Sequence, residues 1–408
     1  MVGGSKRWLS LVNGGCGSKR WLRLSKPPCI LFPMCEKLNP NDITILCKVV
    51  DNFGDIGVVY RLARALTELS GKLNLRIVVD NLDSFSLLEP GVNPSKEVQL
   101  VNGWQILQWD SPSCIELFRK NPPHIILECF QCGRPEWLEQ LLFSETVPNI
   151  VQIIMLDYLT AEPYAETFHK LLSLTRSARV KKINFMPGFT SKTGGLILDK
   201  PFLDSLKKGG EGNSHRIVFF SYPKDWTPAV KAFQKFNGSL KPESKLQVKL
   251  AKGAGFESFF KAYSECKKDS EDFFDLIPMD FIPQTEWDAL LCSADLLFIR
   301  GEDSLSRAAL CGIPYVWHAY PQSEDYQLVK VQALLDAMKP FFLPELFSIV
   351  ENCWLIYNGK TGNLEESLTN FLFAFEKLRP GFAAFSASLL KNGNLAQNLL
   401  DFIDELCG

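Results

Sequence analysis

The chain reads as an α/β protein: two similar parallel-sheet halves facing a central cleft, followed by a helical tail. Three observations point there. From Asn41 onward β-branched apolar runs alternate with helical patterns, as a parallel sheet requires. At 408 residues the chain exceeds what one ordinary core supports, so two domains are expected. A polar, glycine-rich stretch over 207–214 separates two such series and reads as a linker or surface loop.

The first 41 residues do not match the rest. Ser-Lys-Arg-Trp-Leu occurs twice, and six basic residues precede the first acid, Glu36. The apolar pieces are too short for a signal-peptide core and form no amphipathic helix. This segment is expected to be disordered, with Met34 a better start than Met1.

Strands are then expected over 43–50, 75–80, 125–128 and 150–156, with a helix from Val58 to Leu69 ended by Gly71. A second series follows at 216–221, 246–251, 277–282, 294–299 and 313–318. Helices fit at 285–292 and 304–311, where Gly312 suits a helix C-terminus. Residues 363–408 read as two or more amphipathic helices. The domain boundaries drawn from this pattern are 1–41, 42–205, 213–375 and 376–408, with the last helices expected to pack back on the N-terminal domain.

Composition excludes several classes. The chain is 46% hydrophobic and 22% charged, with net charge −2; mean hydropathy is zero and pI about 6.2. That balance gives no general attraction to nucleic acid or anionic membrane, and no apolar run reaches the ~18–20 residues of a span. The twelve cysteines are scattered, many in apolar segments such as Cys47, Cys292 and Cys311, as in a reduced, cytosolic protein. One Cys-x-x-Cys, Cys129 to Cys132, has no second pair, and the four histidines are far apart, so no metal site is expected. No G-x-G-x-x-G follows a strand, and neither G-x-x-x-x-G-K-[ST] nor G-x-S-x-G occurs.

Two segments carry chemistry. Asp51-Asn52-Phe53-Gly54-Asp55-Ile56-Gly57 lies where the first strand hands over to a helix, the usual place for ligands in α/β sheets. Two acids there suit a cationic partner; they equally suit a turn residue and a helix-start acid. Arg300-Gly301-Glu302-Asp303-Ser304 repeats the arrangement in the second half. With Asp303 or Ser304 as N-cap, an arginine beside a helix N-terminus can seat a diphosphate, and Glu302 can accept from sugar hydroxyls. A capped helix with one ion pair fits equally well. Phe281 and Gln284 at another strand end, and Phe220 and Tyr222 at a third, are either core residues or a nucleobase platform.

The chain resembles the bacterial elongation factor P arginine rhamnosyltransferases. The matching text is C-K-V-V-D-N-F-G-D-I-G at 47–57, R-L-A-R at 61–64, Tyr158-Leu159-Thr160-Ala161-Glu162, and 185–197 with its Gly188-Phe189 and Thr193-Gly194-Gly195-Leu196. It continues through Ala294-Asp295 to Ser304 and Trp317-His318-Ala319-Tyr320-Pro321-Gln322. Asp157 stands where the family has glutamate, and Cys129 and Gln131 replace small or hydroxyl residues.

The resemblance implies a GT-B fold, with donor in the C-terminal Rossmann-like domain and acceptor in the N-terminal one. It implies an inverting, metal-independent transfer from dTDP-β-L-rhamnose to an arginine of elongation factor P, a cytoplasmic partner that relieves ribosomes stalled at polyproline. No cofactor, nucleic acid or membrane is implied. Carried over by position, Asp55, Asp51 and Glu302 are catalytic. Asn52, Phe53, Gly54, Phe220, Tyr222, Phe281, Gln284, Arg300, Glu302, Asp303 and Ser304 hold the nucleotide sugar. A GT-B enzyme acting on a glycan or lipopolysaccharide is the alternative; such an acceptor needs no paired acids for a guanidinium.

Overall fold

Asp-Ile-Thr-Ile-Leu-Cys at Asp42–Cys47 is buried at every position, as a central strand covered on both faces must be. In a computed structural model of the chain, residues 38–49, 54–144, 150–208, 215–241, 244–268 and 272–408 are described. The first half runs β1 (Asp42–Cys47), α1 (Gly54–Leu69), β2 (Asn74–Val79), α2 (Leu82–Leu88), β3 (Val98–Val101), β4 (Trp104–Gln108), α3 (Pro112–Lys120), β5 (Ile125–Cys129), α4 (Glu136–Leu142), β6 (Val151–Leu156), α5 (Tyr164–Phe168), β7 (Leu172–Ser173) and β8 (Val180–Phe185). After α6 (Lys200–Lys208) come β9 (His215–Phe219), α7 (Thr227–Asn237), β10 (Leu246–Ala251), α8 (Phe256–Lys267), β11 (Asp275–Met279), α9 (Gln284–Ser293), β12 (Leu296–Arg300), α10 (Glu302–Cys311) and β13 (Tyr315–His318). Four helices close the chain: α11 (Gln327–Met338), α12 (Pro344–Tyr357), α13 (Leu364–Lys391) and α14 (Leu395–Cys407).

The first sheet has eight strands in the order β3-β4-β2-β1-β5-β6-β8-β7, parallel except for its two edge strands. The second has five, β11-β10-β9-β12-β13, all parallel. Both orders reverse beside the first strand of the half, between β1 and β5 and between β9 and β12. Doubly wound sheets open a ligand crevice at that reversal, outside the strands' carboxyl ends. Asp55 follows β1, Phe220 follows β9 and Arg300 ends β12, so the fold brings all three to the crevice.

Several expectations need correction. The extension drawn to residue 41 ends earlier, because Leu38 packs on the first core and Asn41 O accepts from Asn74 N at 2.7 Å. The first helix starts at Gly54, not Val58, which places Asp55 in its first turn. Lys200–Lys208, read as partly linker, is helical. The boundary at 375/376 falls inside α13, which continues through Pro380 to Lys391. Of the closing helices, α14 buries Leu395, Leu399 and Phe402 in the core of the first sheet, while α13 packs in the second. The extension up to residue 37, the loop residues 209–214, and Asp51, Asn52 and Phe53 lie outside the described residues.

Candidate active site

The floor of the second half is built by short turns. Gly301 joins β12 to α10 at φ 72°, ψ 164°, a conformation open essentially to glycine alone. That sharp turn makes Gly301 the N-cap, so α10 begins at Glu302, two residues before Ser304. The first-turn N–H groups have no partner within the helix and carry the positive end of its dipole. Gly301, Glu302, Asp303 and Ser304 all line a cleft of about 690 Å³. Gly54 and Gly57 of α1 form part of its opposite wall.

Around this floor the aromatic residues stand as a ring. The Arg300 guanidinium carbon lies 4.6 Å from the ring centre of Phe220 and 4.6 Å from that of Tyr222. Its buried Nε has no hydrogen-bond partner in the protein. Trp287 meets Phe220 edge-on at 5.4 Å. Phe281 is 51% exposed and lines the cleft, so the core reading of this residue is corrected. Gln284, buried at the start of α9, donates through Nε2 to Gly57 O at 3.0 Å, while its buried Oε1 is unpartnered. An unmet acceptor in such a place costs free energy unless a ligand supplies the donor.

Behind the ring, His318 Nδ1 lies 3.2 Å from Tyr222 N and 2.7 Å from Ser221 Oγ. A backbone N–H can only donate, so Nδ1 is the bare nitrogen and the ring proton is on Nε2. Burial, then the charges of Lys224 and Arg300, push the imidazole down to about 3.

A second, smaller pocket of about 70 Å³ opens beside the cleft. Asp55, Phe130, Asp157, Tyr158, Glu302 and Asp303 line it, and Gly54, Glu302 and Asp303 belong to both spaces. Asp55 is 3% exposed. Burial raises the Tyr158 hydroxyl above its ordinary range, as do the charge of Asp55, a hydrogen bond to it, and the charge of Glu302. Tyr158 is therefore a protonated donor held against Asp55, its ring stacked on Phe130 at 4.9 Å. Asp55 and Glu302 in one slot beside two aromatic rings make a seat for a planar cation.

Asp303 is the expected donor residue whose side chain turns elsewhere. Its carboxylate takes Arg61 Nε at 2.9 Å and Nη2 at 3.1 Å, so its acid group is committed to a buried arginine. Burial alone would raise this carboxyl, but the charge and hydrogen bonds of Arg61 outweigh it and lower it. Its share in the cleft is the wall, through its place in the first turn. Sequence reasoning missed Tyr158, Trp287 and Tyr320, all of which line one of the two spaces. Tyr158 and Tyr320 stood in the matched text, yet nothing local marks a tyrosine as facing a carboxylate.

Among the described residues, no group of three or more His, Cys, Asp or Glu is placed to hold a metal ion. Nor is any described helix long and apolar enough to cross a membrane.

The family model and the sequence relatives agree on one family. The model of the elongation factor P (EF-P) rhamnosyltransferase EarP matches residues 43–404. The chain belongs to this family. A protein-arginine rhamnosyltransferase of Shewanella oneidensis is 31% identical over 338 residues, covering 74% of this chain and 82% of the relative. One from Pseudomonas aeruginosa is 28% identical over 339 residues, covering 78% and 87%. The solved structure describing EarP-mediated arginine glycosylation of translation elongation factor EF-P superposes with TM-score 0.56 at 18% identity, covering 89% of this chain and 99% of that one. A UDP-glucose:anthocyanidin 3-O-glucosyltransferase in complex with UDP matches at 0.50 and 10% identity, covering 90% and 99%. At such identities the structural likeness is one of fold, and that fold is GT-B. With its family, the chain is a glycosyltransferase.

Proposed function

We propose that this enzyme transfers L-rhamnose from dTDP-β-L-rhamnose to an arginine side chain of EF-P, with inversion at the anomeric carbon. The observation that carries the reading is the shared wall. Gly54, Glu302 and Asp303 border both a large aromatic-lined cleft and the small acidic pocket holding Asp55. A nucleotide sugar and a cation placed in these spaces would meet along that wall.

On the donor side, Phe220, Tyr222, Phe281 and Trp287 offer faces for a nucleobase. The free Oε1 of Gln284 suits an imide N–H or a ribose hydroxyl. Arg300, Ser304 and the N-terminus of α10 suit the diphosphate, whose charge grows as it leaves. On the acceptor side, arginine is a poor nucleophile because its lone pairs are delocalised and its pKa exceeds ~12. Asp55 and Glu302 would hold the guanidinium and align one nitrogen with the sugar carbon. The C–N bond forms as the bond from carbon to the diphosphate oxygen breaks; the released proton goes to the Asp55 carboxylate and the electron pair leaves with dTDP. Attack opposite the leaving group gives inversion. Asp51, Asn52 and Phe53 belong to the same proposal by position alone. The acceptor implies action in the cytoplasm.

The test is incubation with dTDP-β-L-rhamnose and the cognate EF-P, followed by peptide mapping. One deoxyhexose on an arginine-containing peptide is expected. No addition, or addition to another residue type, refutes the reading.

A further inference from the structure

Arg61 lies on α1 six residues after Asp55, so about 9 Å along the same helix. It lines neither the cleft nor the acidic pocket. Its guanidinium is 0% exposed, and all of its hydrogen bonds go to the other half of the molecule. Nη1 and Nη2 bind the Asp288 carboxylate at 2.6 and 3.1 Å, while Nε and Nη2 bind Asp303 at 2.9 and 3.1 Å. Asp199 stands 3.6 Å away and also pairs with Arg64 and Arg307, so three arginines face three aspartates in one buried, charge-balanced group.

Both carboxylates held by Arg61 sit within one helical turn of a cleft residue. Asp288 follows Gln284 by four positions on α9, and Asp303 lies between Glu302 and Ser304 on α10. Two bidentate pairs on one planar group fix direction as well as distance. The first turn of α10, the start of α9 and the helix bearing Asp55 are thereby tied to one rigid plane. Gln284 adds a further tie through Gly57 O.

We infer that Arg61 is a positioning residue for group transfer: its double fork sets the register between Asp55 on α1 and the donor-holding turn of α10. The inference rests on the proposed function. A lysine in its place keeps the charge but cannot grip two carboxylates in one plane. Displacements of an ångström between reacting groups can cost on the order of 10²-fold in rate.

The experiment compares wild type, Arg61→Lys and Asp288→Asn; Asp288 lies outside both spaces. Measured are melting temperature, dTDP affinity by calorimetry, and kcat and KM for transfer to EF-P. The expected result is a kcat at least ~10-fold lower in both variants, with dTDP affinity and KM within ~3-fold of wild type. Unchanged kcat in the folded variants overturns the inference. So does a loss that tracks falling dTDP affinity, or failure of both variants to fold, because each assigns Arg61 to the fabric of the fold alone. An inactive wild type sinks the proposed function and this inference together, whereas an active wild type with unimpaired variants sinks only the inference.

Discussion

The neutral His318 makes a pH prediction whose size follows from its surroundings. Its Nδ1 must stay bare to accept from Tyr222 N–H and Ser221 Oγ, and Ser221 Oγ in turn lies 2.8 Å from Tyr357 Oη. Burial, Lys224 and Arg300 hold its pKa at about 3, against about 6.5 in the unfolded chain. Between those values the unfolded state binds the extra proton, so stability is full above about pH 6.5 and falls as the solution is acidified toward about 3. Integrating one such site from pH 7 to pH 5 gives a loss of about 2 kcal/mol. His169, pushed down to about 4 by burial and Lys170, acts with the same sign. In His318→Gln the side chain can still accept from Tyr222 but does not titrate. The pH 7 to pH 5 drop of the variant should therefore be smaller than that of wild type by about 2 kcal/mol. Urea unfolding followed by tryptophan fluorescence reads it, since Trp226 lies 5.8 Å from His318. An equal drop in variant and wild type would refute the neutral, buried acceptor.

Three further outcomes are expected. Arg300→Ala removes the guanidinium beside Phe220 and Tyr222 and should weaken dTDP binding by roughly 10–100-fold; unchanged affinity by calorimetry takes Arg300 out of the donor site. Asp55→Asn should keep dTDP binding and lower transfer by ~10²–10⁴-fold, read by intact mass of the acceptor, with Tyr158→Phe costing less because only the hydrogen bond that orients Asp55 is lost. Gly255→Ala would set a Cβ 2.3 Å from Ser221 O, a backbone atom, so a stability loss of about 1–3 kcal/mol is expected; a thermal melt like that of wild type contradicts the close packing of this turn.

What the sequence shows and hides divides along a physical line. β1, β5 and β12 were legible because strands buried on both faces read as short, largely apolar runs. Val-Lys-Lys-Ile-Asn-Phe at Val180–Phe185 was not, since its polar positions face outward beside the edge and break the run. The two strand-to-helix turns announced themselves by charge at an apolar strand end, yet Asp303 shows how far such a signal reaches. Its type suits a helix start, but its partner lies 242 residues away. Spacing reports neighbours on one element and is silent on pairings across a cleft. Arg61 is the sharper case. Val-Val-Tyr-Arg-Leu-Ala-Arg-Ala-Leu belongs to a helix buried on nearly every side, and a helix apolar all round is an interior one. A guanidinium in that setting demands carboxylates, because an unpaired buried charge costs several kcal/mol. The anomaly is therefore readable from the chain, and so is the need for partners. Which aspartates answer it, and that they sit within a turn of Gln284 and Glu302, emerges only when α1, α9 and α10 are brought together.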